Sequence, residues 1–79
     1  MTVRHVAFIV YPGFQIIDLT GPLCVFEIAN QQAGGAVYAL QTLPVEGGLV
    51  RSSAGLHVAS EVMADHIFDT VVIVGGPAV

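Results

Sequence analysis

Few side chains in this 79-residue chain could do chemistry, and one of them has an unusual setting. Asp18 stands in Phe14-Gln15-Ile16-Ile17-Asp18-Leu19-Thr20-Gly21-Pro22, flanked by Ile16, Ile17 and Leu19. An ionised carboxylate there loses hydration unless it finds partners. A buried acid where a helix begins is a candidate general acid or ligand anchor; the plainer alternative is a carboxylate that caps the backbone N–H groups of the following helix. Cys24 is the tempting nucleophile, but six residues at ~100° each turn it away from Asp18. Inside a buried helix it reads as an inert, small hydrophobe. His5, His57 and His66 show no metal-ligand spacing, so no metal site is expected. Arg51-Ser52-Ser53 could offer turn amides to an anion, but a solvated hairpin tip is the favoured reading.

The elements that must position Asp18 follow from local chemistry. Val6-Ala7-Phe8-Ile9-Val10-Tyr11 is a continuous apolar run ended by Pro12-Gly13, the pattern of a central parallel strand covered on both faces. Pro22 lacks an N–H, and its ring opposes the carbonyl of Asp18. The predicted helix therefore starts with Gly21 as N-cap and Pro22 as first residue, runs to Ala33, and stops at a left-handed Gly34. Pro22, Phe26, Ala29 and Ala33 share one face, and Val25 and Ile28 widen the stripe, so this helix is expected to be largely buried. Asp18 then lies in a short turn before it.

Ala36–Leu43 supplies a second strand closing a βαβ unit. Leu49–Ser52 and Leu56–Ala59 read as a small hairpin, and Ser60 caps a short helical turn through Glu61–His66. Val71–Val74 is another apolar run, expected as a buried parallel strand. It ends at Gly75-Gly76-Pro77, and ligands in open α/β sheets gather beyond such carboxyl ends.

Composition narrows the function classes. Hydrophobic residues make up 54% and charged residues 10%, against a usual charged share of roughly 25%. So much apolar surface exceeds what one small domain hides, which points to a missing remainder: either a C-terminal half or other copies of the chain, a homo-oligomer. Two permanent cations, Arg4 and Arg51, and a net charge of −4 exclude nucleic-acid binding through these residues. No apolar run approaches the ~20 residues that span a bilayer, and Met1–His5 does not resemble a signal peptide. A cytoplasmic protein without membrane contact is expected. A single cysteine gives no sign of a disulfide framework. No phosphate loop or G-x-G-x-x-G fingerprint is present, so no cofactor is expected.

Several segments together resemble a known family: Tyr11–Pro22, Val25-Phe26-Glu27 with Asn30, Val50–Leu56, and Asp69–Gly76. They are similar to the start of ThiJ/PfpI domains of the class I glutamine-amidotransferase-like superfamily, nearest to the N-terminal domains of AraC-type transcriptional regulators and to isocyanide hydratases. The resemblance implies an α/β, flavodoxin-like three-layer sandwich with a parallel sheet, residues 1–79 being the N-terminal half. It also implies a nucleophile elbow on a later strand, carrying a cysteine in the enzymes, which Cys24 does not match. By the same resemblance Asp18 corresponds to the acid facing that cysteine, and Gly75 and Gly76 to glycines whose amides approach the site. A carboxyl kept protonated by burial could donate a hydrogen bond to a thiolate or pass a proton to substrate. The function so implied is ligand sensing of an unidentified small molecule by part of an AraC-type regulator. The alternative is the N-terminal part of an isocyanide-hydratase-like or amidase-like cysteine enzyme.

Overall fold

The structure, a computed structural model, describes residues 3–35, 37–45, 48–60 and 67–76. Strand β1 (Arg4–Val10) leads into helix α1 (Ile16–Ala33) and then β2 (Tyr38–Pro44), β3 (Gly48–Arg51), β4 (His57–Ser60) and β5 (Thr70–Ile73). β2, β1 and β5 form a parallel sheet in that order, with β1 central; β3 and β4 pair antiparallel as a separate hairpin. The expected strands are therefore present. The helical turn expected at Glu61–His66 lies outside the described residues.

The core forms where alternate strand residues meet the helix. Val6, Phe8 and Val10 project from one face of β1 and pack with Phe14, Leu19, Val50 and Val74. Phe8 and Phe26 meet edge to face at 6.1 Å between centroids, and Phe26 meets Tyr38 likewise at 4.8 Å. Such contacts add specific geometry to apolar burial. Asn30 fastens the end of α1 to the start of β2. Its Oδ1 accepts from the backbone N–H groups of Val37 (3.0 Å) and Tyr38 (2.8 Å), and its Nδ2 donates to the Tyr38 carbonyl (2.9 Å).

Two expectations about α1 are corrected. The helix begins at Ile16, with Gln15 at the N-cap position but making no side-chain cap bond, and runs through Pro22 to the left-handed Gly34 (φ +76°). Pro22 deprives the Asp18 carbonyl of its helical donor, but Asp18 is exposed, so water can serve that carbonyl. Burial of Phe14 and Leu19 holds the first turn in place, and tertiary packing of this kind, more than propensity, stabilises helices. The helix is also not largely buried. Only Leu19 is fully so, while Ile17 (62%), Val25 (66%) and Ile28 (45%) remain exposed. The expectation of a buried β5 fails on one face: Val72 packs against the core, whereas Val71 (54%) and Ile73 (74%) are open.

Candidate functional site

The site lies at the carboxyl end of the parallel sheet, and a glycine turn begins it. Phe14 N–H donates to the Tyr11 carbonyl (3.1 Å) across Pro12-Gly13, with Gly13 at φ +87°. Proline followed by a left-handed glycine suits a type II turn. The turn buries Phe14 and brings the start of α1 against the residues that follow β5. Three backbone bonds hold it there: Gln15 N–H to Gly75 O (2.9 Å), Gly13 N–H to Arg51 O (2.8 Å) and Ser53 N–H to Phe14 O (2.8 Å).

This scaffold sets Asp18 beside Gly75. A Cβ placed on Gly75 would lie 2.5 Å from Asp18 Oδ2, and one on Gly76 would lie 2.8 Å from the Tyr11 hydroxyl oxygen. Each glycine thus leaves room for one polar side chain. Asp18, Gly75 and Gly76 are brought together around the strand end, and Tyr11 joins them. Sequence reasoning did not single out Tyr11; its place at the end of β1 beside a double glycine was the available signal.

The expected burial of Asp18 is not found. Asp18 is exposed, because on a continuous helix Leu19 turns inward while Ile17 and Asp18 turn out. A proton-holding role founded on burial therefore lacks its physical basis among the described residues. The capping alternative is not met either: Gln15 is the N-cap, and the Asp18 side chain accepts no hydrogen bond among the described residues. What remains is an acceptor in the first turn, where the helix N-terminus favours negative charge. With the Tyr11 hydroxyl it could bind a small molecule bearing hydrogen-bond donors.

The other candidates lie elsewhere. Cys24 is exposed on α1 rather than packed, about 9 Å of helix rise beyond Asp18. His5 sits at the opposite end of β1, ~20 Å from Tyr11 by strand rise; there its backbone N–H donates to Asp69 Oδ2 (2.8 Å). His57 is exposed at the start of β4, and His66 lies outside the described residues. The amides near Arg51-Ser52-Ser53 are engaged: Ser52 N–H donates to Leu56 O (2.8 Å), Gly55 N–H to Ser52 O (3.0 Å) and Leu56 N–H to Ser52 Oγ (3.2 Å). With Ser53 N–H also bound, an anion nest is not formed by these groups. Among the described residues no group of three His, Cys, Asp or Glu could hold a metal ion, and no helix is long and apolar enough to cross a membrane.

The fold recurs in solved proteins. An AraC family transcriptional regulator from Pseudomonas putida superposes with a TM-score of 0.83 at 23% identity, over 94% of this chain and 48% of that one. A ThiJ/PfpI family protein from Pseudomonas syringae superposes at 0.76 and 24% identity, over 96% of this chain and 30% of that one. In sequence, an uncharacterized protein in the cpoL 5′ region of Streptomyces lividans is 40% identical over 77 residues, 95% of this chain and 53% of that protein. No protein-family model matches the chain. The chain spans about half the length of the Streptomyces relative and of the Pseudomonas putida regulator. The parallel sheet and its packed helix thus have the flavodoxin-like α/β fold of an AraC family regulator and a ThiJ/PfpI protein, matched over nearly the whole of these 79 residues.

Proposed function

We propose that the chain is the N-terminal half of a ThiJ/PfpI-like domain that senses a small molecule within an AraC-type, cytoplasmic transcriptional regulator, with Asp18, Tyr11, Gly75 and Gly76 lining its pocket. The observation that carries this reading is the approach of Asp18 to Gly75 at the carboxyl end of a parallel sheet, the place where such sheets receive ligands. The likeness to the Pseudomonas putida regulator supports the regulatory context. DNA contact would fall to residues other than these, since Arg4 and Arg51 cannot neutralise a run of phosphates.

The cysteine-enzyme reading draws on the likeness to the ThiJ/PfpI protein. It requires an elbow cysteine beyond Val79, and it predicts turnover where the sensor predicts only binding. The test is Asp18→Asn in the complete protein, with isocyanides, glyoxals and amides as probes, followed by thermal shift and by product formation. The sensor reading expects a probe-induced shift that Asp18→Asn loses, with no product formed. Turnover would give the protein to the enzyme class, and an Asp18→Asn variant with an unaltered probe response would remove Asp18 from the site.

A further inference from the structure

The turn that begins the site is bonded on two sides. On one, Gln15 N–H donates to Gly75 O (2.9 Å); on the other, Gly13 N–H donates to Arg51 O (2.8 Å) and Phe14 O accepts from Ser53 N–H (2.8 Å). The second side is the tip of the β3–β4 hairpin, which shares no sheet with β1 or β5. A two-stranded hairpin by itself is marginal in water. From Gly48 to Ser60 only Val50 and Ser52 are buried, both toward this tip, and Val50 joins the core cluster that holds the fully buried Phe14. The other strand of the hairpin is held by partly buried Val58 and by the Thr42 hydroxyl, which donates to Ala59 O (3.2 Å) at an exposed position. The hairpin is thus seated largely on the turn.

The dependence runs both ways. Backbone polar groups taken out of water need partners, and the tip supplies one to Gly13 and one to Phe14. The residue after Phe14 is Gln15, whose N–H makes the bond to Gly75, and Asp18 N–H donates in turn to Gln15 O (3.1 Å). From Ser53 to Asp18 the connection is therefore backbone throughout, with no flexible side chain in it.

We infer that the hairpin tip positions the site: with Ser53 N–H and Arg51 O engaged, α1 starts on Gly75 and the Asp18 carboxylate lies over the strand end, and with the tip released that start loosens. The functional half of this inference rests on the reading of Asp18 and Gly75 as a ligand site. The coupling itself rests only on the hydrogen bonds and on the burial of Phe14 and Val50.

A single N–H can be deleted to test it. Ser53 is the second residue of the turn Ser52-Ser53-Ala54-Gly55, closed by Gly55 N–H to Ser52 O (3.0 Å), a position where proline is favoured. Ser53→Pro removes the donor to Phe14 while suiting the turn, and Ser53→Ala keeps the donor. Gly55→Ala disturbs the tip from its far side, because Gly55 has φ +87° and a Cβ there would lie 3.2 Å from Arg51 Nη2. Residue-resolved hydrogen exchange of the complete protein reads the result. The reference is the pair of Val37 and Tyr38 amides, which Asn30 binds at the opposite end of the sheet. In Ser53→Pro the Gln15 amide is expected to exchange at least about fivefold faster, the order of effect of one lost hydrogen bond. Ser53→Ala should match the parent, and Val37 and Tyr38 should not change. The dissociation constant of whichever isocyanide, glyoxal or amide probe binds through Asp18 should rise about as much. Unchanged Gln15 exchange in a folded Ser53→Pro, or in Gly55→Ala where the proline variant does not fold, overturns the coupling. Faster exchange everywhere, Val37 and Tyr38 included, overturns it as well, since that is a general loss of stability. Faster exchange at Gln15 with a probe response that Asp18→Asn leaves unaltered removes the ligand-site reading and keeps the coupling. A probe response lost in Asp18→Asn but intact in Ser53→Pro overturns the functional half.

Discussion

β1 and β5 lie side by side in one sheet and are built from nearly the same residues, Val6-Ala7-Phe8-Ile9-Val10 against Val71-Val72-Ile73-Val74, yet their surroundings differ sharply. In β1, Val6, Ala7, Phe8 and Val10 are all buried. In β5 only the face carrying Val72, continued by Val74 just past the strand, is covered, and Val71 and Ile73 stand open. An apolar run states what a strand is able to bury. Which faces are actually buried depends on neighbours, and β1 has two strands beside it where β5 has one.

The largest effect should separate these strands. Phe8→Ala empties a fully buried aromatic position and is expected to cost about 3–5 kcal/mol, enough to unfold a small domain. Ile73→Ala, at an exposed site, should cost under about 1 kcal/mol. Urea denaturation of both variants decides it. Equal losses would mean that β5 is covered as β1 is, and would end the comparison.

Next in size is the clamp on the β2 side. Asn30→Ala leaves the N–H groups of Val37 and Tyr38 without their acceptor, and about 1–3 kcal/mol should be lost. β5 is held at its start by a lighter latch, in which Asp69 N–H donates to His5 O (2.9 Å) and Asp69 Oδ2 accepts from His5 N–H (2.8 Å). Asp69→Ala removes only the second bond, at an exposed position, and is expected to cost about 0.5–1.5 kcal/mol, with Asp69→Asn restoring most of it because an amide oxygen also accepts. Hydrogen exchange at the β1–β5 ladder would register the difference. Protection that falls no further in Asp69→Ala than in Asp69→Asn would show that the carboxylate does not tie the strands.

The strands, the hairpin and the Gly34 stop were legible because each is written in short-range terms: apolar runs, glycine turns and a left-handed position that suits glycine. The start of α1 was not. Pro22 reads locally as a first helical residue, but Phe14 and Leu19 gain burial only if the helix starts six residues earlier, at Ile16, and that gain comes from strands distant in sequence. The exposure of Asp18 follows from the same shift, since a continuous helix turns Asp18 outward where an irregular turn could have folded it in. Proximity of Asp18 to Gly75 was expected from resemblance and not from spacing. Fifty-six residues separate the two, and only the parallel pairing of β1 with β5 makes them neighbours.

Where β5 gives way to the site, a substitution is expected to act on binding more than on stability. Gly75→Ala places a methyl group 2.5 Å from where Asp18 Oδ2 now lies, closer than atoms tolerate. The atom in the way is the free end of an exposed side chain, so a change of rotamer can relieve the clash, and the cost should stay below about 1.5 kcal/mol. That movement carries the carboxylate off the strand end. Gly75→Ala should therefore impair probe binding much as Asp18→Asn does while melting almost like the parent protein, and the two changes combined should do little more than either alone, since each removes the same group from the same place. A thermal-shift titration of the four proteins supplies the cycle. Additive losses would mean that Gly75 contributes through its own backbone rather than by making room for Asp18, and a large fall in melting temperature with binding intact would place both residues in the fold and not in the site.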